Sequence, residues 1–171
     1  SDAKARRSAQ TAMYHVIEAM TRWLAPIISY TADEIWQYIP GTRSESVFLE
    51  TWYTGLFSFN SDESLGQEFW NSVMDIRAVV SKELEQQRAK GKFGSSLNAE
   101  VELYCDAKLL ALLKPVESEL HFVFITSKAQ VLDADTQPAD VVSTDIAGLS
   151  LRVNVSEHAK CVRCWHQRED I

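Results

Sequence analysis

Cysteine, proline and glycine are all scarce in this chain, with three, four and six residues among 171. Three cysteines, an odd number, do not make the disulfide framework of a small secreted domain and fit a reducing cytoplasm better. Positive charge is also short, leaving a net charge of −7, which argues against a general electrostatic grip on nucleic acid. Any such binding has to use local basic spots on an acidic body. No apolar run approaches the length of a membrane span; "FVFI" is the densest late patch. The opening "SDAKARRSAQ" is polar, so no signal peptide is expected there. There is no internal repeat and no low-complexity segment.

What is present is enough apolar matter, 46%, for a sizeable core, and a length that fits one ordinary domain or two small ones. Ala9, Met13, Val16, Met20, Trp23 and Leu24 recur at helical spacing, which predicts a first helix with one buried stripe. Pro26 interrupts that stripe and is placed as an early residue of a second helix, whose face carries Ile28, Thr31, Ile35 and Ile39 with Trp36 beside it. "PG" at Pro40 and Gly41 stops the run, and "SVFLETWY" reads as an extended connector packed on the helices. Leu65, Phe69, Val73, Ile76, Val80 and Leu84 mark a third helix, with Ser61 and Asp62 as start signals and Gly91 and Gly94 as stops.

After Gly94 the pattern changes. "NAEVELYC" alternates and predicts a strand with Ala99, Val101, Leu103 and Cys105 inward and Glu100, Glu102 and Tyr104 on a wet face. Asp106 is placed to cap a short helix, "AKLLALL", closed by Pro115. "LHFVFITS" reads as a buried strand and "KAQVL" as another. "DADTQPADVVSTD" reads as loop or weak edge strand, and "GLSLRVNV" as a strand with Leu149, Leu151, Val153 and Val155 inward. The expected architecture is α+β: a helical part over 1–94, a small mixed α/β domain over 95–156, and a cysteine-bearing tail over 157–171. The wide stripe on the first helix lacks an obvious partner, so the chain is expected to be cut at both ends.

The tail carries the sharpest motif. Cys161 and Cys164 in "KCVRCWHQREDI" are spaced to turn two thiolates onto one metal, half of a tetrahedral zinc site. Three other readings stand beside it: completion by His158 or His166, a redox pair, and a loose metal-free tail. Cys105 alternates with core residues and reads as a small buried hydrophobe. Trp23, Trp36, Trp52 and Trp70 fall on or near apolar stripes and read mostly as core. His15 reads as structural, and the pairs Asp33/Glu34 and Glu83/Glu85 read as solvated helix faces. No nucleophile elbow, P-loop or dinucleotide fingerprint occurs.

Taken in order, "RWLAPIISYTADEIWQYIPG", "SVFLETWY" and "RAVVSKELEQQRAKGKFGSSLNAEVELY" resemble the anticodon-binding region of class I aminoacyl-tRNA synthetases specific for branched aliphatic residues and methionine. "ELHFVFITSKAQV" and "KCVRCWH" narrow that resemblance to the bacterial-type isoleucyl-tRNA synthetases. The resemblance implies an anticodon-binding helical bundle, a small junction domain and the start of a zinc module. Its partners would be the tRNA for isoleucine and the remainder of the synthetase chain, in a cytoplasmic monomer with no membrane contact. It implies zinc in the intact protein, absent or incomplete on this stretch alone, with ATP used only at a catalytic domain absent here; the chain itself would hold no catalytic residue. Candidate RNA contacts are Arg77, Arg88, Lys90 and Lys92 along and past the third helix, and Arg163 and Trp165 beside the cysteines. Each basic residue has a plainer reading, since helix C-termini collect Lys and Arg to complement the dipole. Arg6, Arg7 and Arg22 have the same standing. The rival function is a scaffold that braces the synthetase while a further C-terminal zinc module touches the RNA.

Overall fold

The computed structural model describes residues 3–58 and 65–169, so the start signals expected at Ser61 and Asp62 lie outside the described residues. The chain forms two compact units, Ser1–Phe59 and Asn60–Ile171.

In the first unit, α1 (Lys4–Leu24) and α2 (Ser29–Tyr38) are joined at a tight turn in which the Ile27 and Ile28 N–H groups both donate to the Leu24 carbonyl, at 2.9 and 2.8 Å. Pro26 lies in that turn and not inside α2, a correction to its expected place. Ala25, Ala32, Trp36, Ile39 and Val47 form the small core, with Ile17 and Ile35 packed against it. The face that α1 buries is Glu18, Ala19 and Thr21. Its expected buried stripe is instead open, with Met13, Val16, Met20 and Trp23 at 62%, 50%, 44% and 41% exposure. The face that does pack carries a charged cluster. Glu18, 3% exposed, ion-pairs with both Arg22 and Arg43. Their guanidinium carbons lie 4.7 and 4.5 Å from the Trp36 ring centroid, and the indole N–H donates to the Ser44 carbonyl at 3.1 Å. "SVFL" closes as a 3-10 turn, Val47–Leu49, whose Val47 N–H donates to the Asp33 carboxylate at 3.0 Å. Asp33 is thus a local cap rather than a solvated charge. Trp36 is core as expected, whereas Trp52 is 71% exposed.

The second unit is α+β. α3 (Gln67–Ala89) ends where the glycines predict, with Gly91 at φ 77. A four-stranded mixed sheet follows in the order β2-β1-β4-β3, built from β1 (Ala99–Cys105), β2 (Lys128–Asp133), β3 (Val142–Ser143) and β4 (Leu149–Val155). β1 pairs antiparallel with β4, Leu103 opposite Leu151, and parallel with β2, Leu103 opposite Val131. A parallel neighbour needs a crossover, supplied here by α4 (Ala107–Leu113) and α5 (Glu117–Phe124). Asp106 caps α4 as expected, accepting from the Leu109 N–H at 2.8 Å.

One core spans α3, the crossover helices and the sheet, with Val73, Ile76, Val80 and Leu84 of α3 in the same cluster as Val101, Leu103, Leu113, Leu120, Phe124 and Leu151. α3 therefore packs with the sheet in one compact unit, and Gly94 marks the switch from helical to strand periodicity. The expected strand over "LHFVFITS" is the helix α5. A strand would bury Leu120, Phe122 and Phe124 together, but Leu120 and Phe124 are buried one helical turn apart while Phe122 is 60% exposed. Glu117 and Glu119 in the first turn suit the positive end of that helix. Two further corrections concern polar residues. Tyr104 is buried at 5% exposure, its hydroxyl donating to Glu102 at 2.7 Å. Glu83 is buried as well and accepts from the Gln87 amide. β4 turns outward at its end, leaving Val155 48% exposed.

Candidate functional site

The expected contact residues occupy three places in the second unit. α3 delivers Arg88 to its last turn and hands over to Lys90 at the C-cap and Lys92 in the glycine-bounded loop, where Phe93 is buried and anchors the chain. All three basic side chains are exposed. Arg88 is not idle: its Nη2 and Nε donate to the Glu85 carboxylate at 2.8 and 3.1 Å, which lowers the Glu85 carboxyl below its usual range and raises the guanidinium. An exposed pair of this kind stabilises little and exchanges readily for another anion. Arg77 is half-buried, and its Nε donates to the Val123 carbonyl at 2.9 Å, tying α3 to the last turn of α5. Arg88 lies eleven positions beyond Arg77, roughly 16 Å along the helix axis.

The third place is the end of the described chain. The tail that reads as loose in its plainest interpretation is a hairpin, β5 (Ala159–Lys160) paired antiparallel with β6 (Gln167–Arg168). Its tip is closed by the Cys161 N–H donating to the His166 carbonyl and the Trp165 N–H donating to the Cys161 carbonyl, both at 2.9 Å. Trp165 sits at φ 66 and 60% exposure, with the Lys160 ammonium 5.1 Å from its ring centroid. The Cys161 thiol is pulled down by the backbone N–H groups of Cys164 and Arg163 and by a hydrogen bond with the Cys164 thiol. Main-chain donors aimed at a sulfur favour the thiolate, the form that binds metal. The hairpin tip thus brings two thiols together, one of them biased toward the thiolate, which is donor chemistry suited to a metal. Among the described residues no group of three or more His, Cys, Asp or Glu side chains is disposed to hold a metal. Cys105 is the opposite case: burial and the neighbouring Asp106 push its thiol up to about 12.

No hydrogen bond or ring contact joins the α3 group to the hairpin group among the described residues. The hairpin is instead fixed to the sheet. The Gln167 N–H donates to Ser127 Oγ at 2.6 Å, and that hydroxyl donates to the Leu97 carbonyl at 2.6 Å. His158 lies 3.7 Å from Glu100 and 3.4 Å from Glu169. Sequence reasoning missed Lys160 as the partner of Trp165, and it missed the rings of His121, Phe122 and His166, which come together because α5 is a helix. The i,i+4 spacing of Leu120 and Phe124 was the signal that could have placed them.

With this geometry in view, the family described as the anticodon-binding domain of tRNA ligase matches residues 1–103. The chain belongs to that family. Across nearly its whole length the chain is also 52% identical to an isoleucine–tRNA ligase of Marinomonas sp. (99% of this chain, 18% of that protein) and 55% identical to one from Thioalkalivibrio sulfidiphilus (100% and 18%). An isoleucine–tRNA ligase of Pseudomonas fluorescens is 52% identical over 171 residues. The chain thus spans about 18% of the length of the curated relatives it matches. The anticodon-binding match covers α1 to α3 and reaches into β1, so it includes Arg77, Arg88, Lys90 and Lys92 but stops short of Arg163 and Trp165. No helix among the described residues is long and apolar enough to cross a membrane.

Proposed function

We propose that this chain is the part of an isoleucine–tRNA ligase that holds the anticodon stem and loop of the tRNA for isoleucine. The parent enzyme would join isoleucine to that tRNA with ATP at a domain outside this chain, as a cytoplasmic monomer. The single observation that carries the reading is an anticodon-binding match over residues 1–103 combined with 52–55% identity to isoleucine–tRNA ligases end to end. The task is recognition and not bond making. Anticodon bases are unstacked, so planar guanidinium and aromatic groups can stack on them and bond their edges. Arg88 can exchange Glu85 for a phosphate, Lys90 and Lys92 extend from a loop that glycine keeps adaptable, and Arg163 and Trp165 project from the hairpin. Arg77 contributes charge from beside α5. Cys161 and Cys164 would give two of the four thiolates of a structural zinc, which when bound supplies a rigid cross-link. The open stripe Met13, Val16, Met20, Trp23 and Ile27, spaced by three and four, suits a helix from the remainder of the synthetase.

A second reading, a bracing scaffold with RNA contacts made elsewhere, is favoured by the net charge of −7 and by the Glu85 partner of Arg88. Binding of the tRNA for isoleucine is compared with the same tRNA carrying a replaced anticodon, over a range of salt. Tighter binding to the native anticodon, weakening as salt rises, is the expected result. Equal affinity for both, or no binding, sinks the anticodon reading in favour of the scaffold.

A further inference from the structure

The four-stranded sheet ends in two unpaired edges, and they differ in length. β3 has only two residues, too short to template another strand. β2 has six, and no strand lies beyond it among the described residues. The terminal hairpin stops short of this edge: β6 pairs with β5 alone, and its Gln167 N–H goes to Ser127, the residue before β2. A long free edge carries a row of N–H and C=O groups on which a further strand can add.

In β2 that row is met at its centre by side chains. Val131 turns both of its peptide groups outward: its N–H donates to Glu117 Oε1 at 2.7 Å, and its carbonyl accepts from Lys114 Nζ at 3.3 Å. The other oxygen of Glu117 lies 2.8 Å from the same ammonium. The pair thus offers Val131 one acceptor and one donor, the two groups that a neighbouring strand would offer. Pro115 brings them there by closing α4 into a 3-10 turn, Lys114–Val116, directly ahead of α5. Beneath them Val131 is 1% exposed. Burial alone would raise the Glu117 carboxyl, but hydrogen bonds from Lys114 and the Val131 N–H outweigh it and hold it below its usual range. Peptide groups alternate along a strand, so Ala129 and Asp133 face the same edge as Val131. The Asp133 carbonyl accepts from the Thr136 hydroxyl at 2.7 Å. Ala129 takes no hydrogen bond on that side among the described residues, and it borders an open cleft beside α5.

We propose that the Lys114–Glu117 pair stands in the place of a fifth strand and so blocks a second copy of this chain from adding to β2. A second copy is the fitting occupant because this edge is its own complement. Two antiparallel copies related by a two-fold axis at Val131 would exchange both of its hydrogen bonds, with Ala129 of each facing Asp133 of the other. Sedimentation velocity over a wide concentration range, combined with amide hydrogen exchange, tests this. Wild type is expected to sediment as one chain throughout. Lys114→Ala/Glu117→Ala opens both groups of Val131, and its mass is expected to double as concentration rises, with Val131 exchange slowing in the dimer. Glu117→Gln keeps an acceptor on the Val131 N–H and is expected to remain a single chain. One comparison needs no variant to fold. In wild type, after correction for intrinsic rates, the Val131 N–H should exchange roughly ten-fold slower than that of Ala129. A folded double variant that stays a single chain at every concentration overturns the proposal. So does a dimer in which Val131 is not slowed, a wild type that dimerises as readily, or equal exchange at Ala129 and Val131.

Discussion

Glu18→Ala removes the carboxylate on which the first unit is organised. Glu18 is 3% exposed, and the two guanidiniums that it holds, Arg22 and Arg43, are 13% and 11% exposed. Both also lie over Trp36, and Arg43 spends Nε on the Ile39 carbonyl at 2.5 Å, closing the end of α2. The variant leaves two nearly buried positive charges beside one indole, Arg43 without its Glu18 partner and Arg22 with Glu50 alone. Breaking a buried pair in this way costs about 3–5 kcal/mol, mostly from the stranded charge. The lower end, about 3 kcal/mol, applies here because Arg22 keeps a second acidic neighbour, Glu50 at 3.4 Å. That is a large part of the ~5–15 kcal/mol that holds a typical domain. Urea denaturation followed by near-ultraviolet circular dichroism would read it. The pH dependence gives an independent handle. Burial alone would raise the Glu18 carboxyl, but hydrogen bonds from Arg43, Arg22 and Tyr14 outweigh it and leave it lowered. Its contribution is therefore complete above the unfolded carboxylate range and lost as pH falls through the lower folded value. The gap between wild type and Glu18→Ala should then close in acid. A loss under about 0.5 kcal/mol at neutral pH, the size of an ordinary surface change, or a gap that widens in acid, refutes the account of the cluster.

Three further outcomes are expected. Phe124→Ala should cost about 3–5 kcal/mol and Phe122→Ala under about 1 kcal/mol, because one ring is 2% and the other 60% exposed; similar losses in thermal melts would favour a strand over α5. Gly148→Ala should destabilise by more than about 2 kcal/mol, since Gly148 has φ 78 and a Cβ there would lie 2.2 Å from Asp106 Oδ2; an unchanged melting temperature would contradict that close approach. In the native chain iodoacetamide should modify Cys161 at lower pH than a free thiol and leave Cys105 untouched, read by mass spectrometry of the peptides; labelling of Cys105 without unfolding would show its strand to be open.

Much of this protein was legible in its residues. The alternation of "AEVELYC", the Asp106 cap, the α3 stripe and the glycine stops depend on neighbours a few positions away, and the structure reproduces them except at Tyr104, which is buried, and Leu65, which lies before α3 at 43% exposure. The basic cluster after Arg88 and the paired cysteines were legible for the same reason, as motifs of adjacent residues. The chain alone could also fix that its charge is acidic and its basic groups local.

Tertiary structure decided the rest, because it depends on which faces find partners. Periodicity cannot tell a short apolar helix from a buried strand, and "LHFVF" became α5 because the parallel pairing of β1 with β2 requires a crossover and Leu120 and Phe124 meet the core from one turn. Nor could it say which side of α1 is buried: the apolar stripe is the stronger local signal, yet Glu18 bound to Arg22 and Arg43 around Trp36 claims the opposite face. The ring cluster at Phe122 and the fixing of the cysteine hairpin to Ser127 join residues some forty positions apart. Those contacts exist only once the sheet has set its order, since no spacing along the chain encodes which strand ends at an edge.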